Sequence, residues 1–134
     1  MNDLTAKFND NSLYRTLGIA LTTLTADGAE AELNPSPSVC WPFEGQPHGG
    51  VLFTLMDTTM AFAVIGVMGP AYSSATISLN IQYTARAKAG PYRCHAEVSH
   101  STKNVSFVRA EILDATGQVV AMGQGTFKII SPRG

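Results

Sequence analysis

The sequence predicts an α+β fold in which one long buried helix sits among roughly six antiparallel strands. Three observations predict it. Gly50 to Met68 is almost wholly apolar, with Asp57 as its only charge. Alternating apolar and polar segments flank it, separated by turn-forming residues. With 134 residues the chain fits one domain, taken as 1–134, whose core needs neither disulfide nor metal.

The elements follow in order. Asn9-Asp10-Asn11-Ser12 offers capping side chains before Leu13, Tyr14 and Leu17, and Gly18 can stop the chain, which predicts a two-turn helix. Ile19 to Thr25 and Ala29 to Leu33 alternate around Asp27-Gly28, a hairpin signal. Asn34-Pro-Ser-Pro-Ser and Trp41-Pro-Phe-Glu-Gly-Gln-Pro read as irregular loop. The Gly50–Met68 run is long enough to span a membrane. However, a mid-span Asp would cost about 2.5–3.5 kcal/mol on insertion scales. The flanks also lack basic anchors, so a helix wrapped by protein is expected, with no membrane partner. Strands are expected at Ala75–Thr84, Tyr92–Ser101, Val105–Leu113 and Val119–Ile130. Turn chemistry at Lys88-Ala-Gly-Pro, Thr102-Lys-Asn and Asp114-Ala-Thr-Gly separates them.

Composition narrows the function. Nine basic and ten acidic residues are spread along the chain for a net charge of −1, which argues against a nucleic-acid partner. Cys40 and Cys94 have no metal-site spacing and make no disulfide framework, and the opening residues carry no export signal. A reduced, cytoplasmic setting is expected. Only 14% of residues are charged, against roughly 25% in a typical soluble domain, so part of the surface is expected to be covered by another copy.

Pro47-His48-Gly49-Gly50 marks the start of the long helix. The first backbone N–H groups of a helix lack internal partners and carry the positive end of its dipole. Gly49 and Gly50 therefore either admit an oxygen acquiring negative charge or simply allow a tight turn. Asp57 lies two turns beyond Gly50, on a side shared with Thr54, Ala61 and Val64. It either takes part in chemistry or bonds a neighbouring group. Cys94 and His95 point to opposite faces of a strand, as do His95 and His100, and all three are read as structural or surface residues.

His48-Gly49-Gly50-Val51-Leu52, followed by Leu55-Met56-Asp57-Thr58 and Met60-Ala61, resembles the H-G-G-x-x-x-x-L-x-D signature of PaaI-type hotdog thioesterases, the 4-hydroxybenzoyl-CoA thioesterase-like group. The resemblance continues through Ile81-Gln82-Tyr83, Ala87-Lys88-Ala89-Gly90 and Ala121-Met-Gly-Gln-Gly-Thr-Phe, covering about Leu13 to Ile130. It implies a hotdog fold, a sheet of about six strands wrapped around the helix. It also implies hydrolysis of acyl-CoA or acyl-carrier-protein thioesters without metal or cofactor, in a homodimer or homotetramer whose site is shared between subunits.

By the same resemblance the Gly49 N–H polarises the thioester carbonyl and His48 shapes the site. Asp57, supplied across the interface, acts as general base or nucleophile. Thr76 positions the water, with Ser78 as the neighbouring alternative. Many relatives carry an Asn six residues before the His, supporting the carbonyl-binding glycine. Here that position is Pro42, and Gln46 offers an amide instead. Arg86 and Lys88 on one strand face, and Lys103 in a turn, are read either as contacts to coenzyme A phosphates or as ordinary solvated charges. Trp41, Phe43, Phe53, Phe62 and Tyr83 either line an aromatic-accepting pocket or belong to the core. Two other activities share the fold: acyl-thioester hydration or dehydration, and acyl-CoA binding without turnover.

Overall fold

The computed structural model describes residues 2–42 and 46–132, with side chains from Leu4 onward. Two short helices, α1 (Asn2–Asn9) and α2 (Ser12–Leu17), precede a hairpin of β1 (Ile19–Thr25) and β2 (Gly28–Leu33). A 3₁₀ turn at Pro37–Val39 leads to the long helix α3 (Gly49–Met68). Strands β3 (Ser73–Tyr83), β4 (Tyr92–Ser101), β5 (Val105–Leu113) and β6 (Val119–Ile130) follow. All six strands form one antiparallel sheet in the order β1-β2-β4-β5-β6-β3, curled around α3. This is the hotdog arrangement expected from the sequence.

The apolar run of α3 is explained by what surrounds it. Leu55, Met56, Met60, Ala63 and Val64 are buried against the sheet. Gly123 and Gly125 of β6 leave room for the two methionines. A Cβ at Gly123 would lie 2.5 Å from the Met56 sulfur, and one at Gly125 would lie 2.8 Å from that of Met60. The helix has the length and apolarity of a membrane span, yet it is packed inside the sheet.

Helix α1 was not expected. Its sequence is largely polar, and only Leu4 and Phe8, one turn apart, carry a core signal. Phe8 stacks on Phe62 of α3 with ring centroids 4.6 Å apart, and Tyr14 of α2 meets the same ring edge-on at 6.1 Å. Asn9, the last residue of α1, protects the edge of β1. Its Oδ1 accepts the Leu21 N–H at 2.7 Å and its Nδ2 donates to the Leu21 carbonyl at 2.9 Å, beside a bulge in the β1–β2 pairing. Helix α2 is capped as predicted. Asn11 Oδ1 accepts from Leu13 and Tyr14, and Gly18 takes the left-handed φ of 89°.

The other edge of the sheet is bare. β3 is exposed or half-buried along its whole length, and Ile77 and Tyr83 are 59% and 51% exposed.

Several expectations need correction. Arg86 and Lys88 do not share a strand face, because β3 ends at Tyr83 and both lie in the connection to β4. His95 and His100 face the same way, since a bulge between Val98 and His100 adds a residue and both are exposed. Val64 is fully buried and does not join the open side of α3. Phe62 belongs to the core, whereas Trp41, Phe53 and Tyr83 are exposed. Phe43 lies outside the described residues.

Candidate functional site

The start of α3 is braced from the loop before it. The His48 N–H bonds the Val39 carbonyl at 3.0 Å, the Trp41 N–H bonds the Gln46 carbonyl at 2.7 Å, and Cys40 and Pro47 form a β-bridge. Pro42, where the resemblance led to an expected Asn, is exposed and brings no side-chain donor or acceptor. His48 is the N-cap. Its Nδ1 accepts the Gly50 N–H at 2.8 Å, which requires the ring proton to sit on Nε2. Its imidazole also stacks on Trp41 with centroids 5.2 Å apart. The His48 carbonyl accepts the N–H groups of Val51 at 2.8 Å and Leu52 at 3.4 Å.

That accounting leaves one first-turn donor over. The Gly49 N–H has no acceptor among the described residues, whereas the Gly50 N–H is taken by His48. The amide open to a ligand oxygen is thus that of Gly49, at the positive end of a 20-residue helix. At Gly50 the constraint is different: a Cβ there would stand 3.0 Å from His48 Nδ1, so the imidazole that caps the helix would have to shift.

The open flank of α3 carries Gly50, Phe53, Thr54, Asp57 and Ala61, none of them buried, at a helical spacing of three and four residues. Thr54 Oγ1 donates to the Gly50 carbonyl at 2.9 Å, which keeps that hydroxyl occupied. The flank runs alongside the bare β3 edge. Two bonds tie it there: Thr76 Oγ1 donates to Asp57 Oδ1 at 2.6 Å, and Tyr83 Oη donates to the Gly49 carbonyl at 2.7 Å.

Sequence reasoning did not find that second bond. Tyr83 is 34 residues from Gly49, and no local spacing signals the contact. Ser78, by contrast, is opposite Thr126 on the outward side of β3, past the bulge between Thr76 and Ser78. The structure therefore brings Thr76, not Ser78, to Asp57.

The basic residues do not gather. Arg86 and Lys88 follow the Tyr83 end of β3, and Lys88 lines a recess with Pro35, Trp41, Pro42 and Tyr92. Lys103 lies in the β4–β5 turn, beyond the Ser101–Ser106 pair, at the Asp57 end of the sheet. A cleft of about 580 Å³ opens beside the helix start, lined chiefly by Leu13, Leu17, Val39, Trp41, His48 and Thr54. A groove of about 480 Å³ on the outer sheet face holds His95, Glu97 and Arg109. There Arg109 pairs with Glu97 at 2.8 Å and His95 lies 3.2 Å from Glu30, beside Glu111. Cys94 is no nucleophile in waiting, because burial pushes its thiol up to about 12. Among the described residues no group of His, Cys, Asp and Glu could hold a metal ion.

Comparison with known proteins agrees with this fold. A Mycobacterium tuberculosis protein, Rv1847, which bears the provisional name of an esterase, is 30% identical over 81% of this chain and 79% of its own. The PaaI protein from the phenylacetic acid degradation operon of Escherichia coli superposes with a TM-score of 0.82 over 95% of this chain and 90% of its own, at 22% identity. The BH2602 protein of Bacillus halodurans, solved with CoA, is 32% identical, with a TM-score of 0.69 over 75% of this chain and 66% of its own. The family model described as thioesterase superfamily matches residues 45–121, which include the helix start, Asp57, Thr76 and Tyr83, and the chain belongs to that superfamily.

Proposed function

We propose that the protein hydrolyses acyl-CoA (or acyl-carrier-protein) thioesters at a site built from two copies of the chain. The observation that carries this reading is the free Gly49 N–H on the same open flank as the Asp57–Thr76 pair. A thioester carbonyl gains negative charge as it is attacked, and a fixed amide at a helix start stabilises that charge. A carboxylate held by a hydroxyl can take a proton from water or attack directly. Thr76, donating to one oxygen of Asp57, leaves the other free to act.

Within one chain the two halves are too far apart. Asp57 follows Gly49 by eight residues of helix, about 12 Å at 1.5 Å per residue. A carbonyl and its attacking water lie only about 3 Å from the groups that serve them. A second copy closes the gap. Tyr83 is level with Gly49 and Thr76 with Asp57, so β3 runs opposite to α3. A two-fold axis crossing β3 between Leu79 and Asn80 pairs the bare edges. It sets Thr76 against Tyr83 of the other copy, and Asp57 beside that copy's Gly49. The same axis brings Lys103 of one copy toward the end where Lys88 and Arg86 of the other stand, where they would meet the phosphates of coenzyme A. The CoA bound to BH2602 supports that class of substrate. The two free thiols fit a reducing cytoplasm.

Thiol release from short, medium, long and aromatic acyl-CoAs tests the proposal, with Asp57→Asn measured beside the wild type. Turnover reduced at least about a hundredfold in a folded Asp57→Asn variant is expected for loss of a general base. Wild-type protein that binds acyl-CoA but releases no thiol would refute the hydrolase reading in favour of binding. Activity on an enoyl-CoA without thiol release would replace hydrolysis with hydration.

A further inference from the structure

We propose that Tyr83 is a positioning residue for the Gly49 amide, an inference that rests on the reading of Gly49 as the carbonyl-binding donor. Glycine has no side chain with which its surroundings can hold it, so an isolated glycine amide is a poorly fixed donor. Here Tyr83 supplies the missing hold from another element. Its hydroxyl donates to the Gly49 carbonyl at 2.7 Å. Its ring also occupies the space a Cβ would face, with Cζ and Oη 3.4 Å from that position and Cε1 3.6 Å away. On the same peptide unit, the Nδ1 of the preceding residue, His48, accepts the Gly50 N–H. The peptide unit joining Gly49 to Gly50 is thus gripped at both ends, its carbonyl from β3 and its N–H from the cap. The preceding unit, which carries the free Gly49 N–H, is held through the His48 carbonyl by the N–H groups of Val51 and Leu52. Fixing the unit on the far side of the Gly49 Cα limits the turning of that N–H. Fixing a donor before the charge develops is what makes it effective, since no reorganisation is then needed during reaction.

Tyr83 is half exposed in the single chain, on the edge strand that the proposed dimer covers, and is not part of the buried core. The Gly49→Pro arm below therefore distinguishes positioning from an interface role. Burial of its hydroxyl raises its pKa above the ordinary tyrosine value, so it remains a donor through neutral and mildly alkaline pH.

The test uses the full chain and thiol release from the best acyl-CoA of the panel. Tyr83→Phe keeps the ring and deletes the hydroxyl. We expect kcat to fall about tenfold, the upper range for loss of one neutral hydrogen bond, with KM changed less than about twofold. The decisive arm is the same change in a Gly49→Pro background, which has no N–H to position. If Tyr83 acts through that N–H, the effect of losing its hydroxyl should shrink there to less than about twofold. Unchanged kcat in Tyr83→Phe, or the same loss in both backgrounds, would overturn the assignment while leaving the hydrolase reading intact. Absence of thiol release by the wild type would instead remove the reading on which the assignment rests.

Discussion

Replacing Gly49 with proline removes one N–H and disturbs little else. Gly49 is the first residue of α3, the helical position where proline is best tolerated, because the missing N–H has no helical partner there. His48 before it has φ −58° and ψ 142°, an extended conformation that a following proline favours. The His48 bond to the Gly50 N–H and the helix hydrogen bonds beyond it survive. The steric cost is bounded by the Tyr83 ring, 3.4 Å from a Cβ at this position, and Gly49→Ala carries that same Cβ while keeping the N–H. Loss of one oxyanion donor costs about 10²–10³ in kcat, roughly 2.7–4 kcal/mol. Gly49→Pro is therefore expected to lose at least about a hundredfold in kcat beyond whatever Gly49→Ala loses. Thiol release gives the rates, and circular dichroism with a thermal melt establishes that both variants are folded. A folded Gly49→Pro protein with the kcat of Gly49→Ala would refute the argument that this amide binds the carbonyl.

Three further outcomes are expected. Thr76→Val removes the 2.6 Å bond to Asp57 and should lower kcat about fivefold to tenfold, with thermal stability nearly unchanged because the pair is exposed; an unchanged kcat would mean that Thr76 does not orient the carboxylate. Phe62→Ala deletes a ring held between Phe8 and Tyr14 and should cost about 3–5 kcal/mol of stability, read from urea unfolding; a cost below about 1 kcal/mol would show that α1 and α2 do not cover the core. Asp114 is held below the usual carboxylate value, first by the Thr116 hydroxyl at 2.6 Å and then by the N–H groups of Gln118 and Thr116. Its folded pKa is depressed, so its ionisation stabilises the fold above the unfolded value and that contribution is lost as pH falls through the folded one. Asp114→Asn should accordingly lose less stability than the wild type between pH 7 and pH 3, and an equal loss in the two proteins would contradict the assignment.

Much of the fold was legible because its signals are local. Alternation in β1, β4, β5 and β6 gave those strands their observed limits, and an apolar run with a single Asp marked α3 as a helix enclosed by protein. What escaped notice depends on distant partners. Helix α1 is polar apart from Leu4 and Phe8, and it is ordered by Phe62 and by the unpaired backbone at Leu21, neither of which its own sequence foretells. Bulges are equally silent. The ones in β3 and β4 turned Ser78 away from Asp57 and put His95 and His100 on one face. At the site, the helix start and Asp57 were singled out from the residues, and their roles read by resemblance. The division of labour between Gly49 and Gly50 was not, because it turns on where one imidazole nitrogen points. Tyr83 was identified only as an aromatic residue, since its contact with Gly49 crosses from the end of a strand to the start of a helix.

The central claim is that Gly49 of one copy and Asp57 of another serve the same thioester, and mixed dimers test it most directly. Gly49→Pro and Asp57→Asn chains, each at least about a hundredfold less active alone, are co-expressed with different tags, and the doubly tagged species is assayed for thiol release. A dimer of one chain of each kind contains one site with both groups intact. Random assortment of the two chains should then restore about a quarter of wild-type activity, and the purified mixed dimer about half. Mixed dimers no more active than either parent would contradict the account and place both groups' work within a single chain.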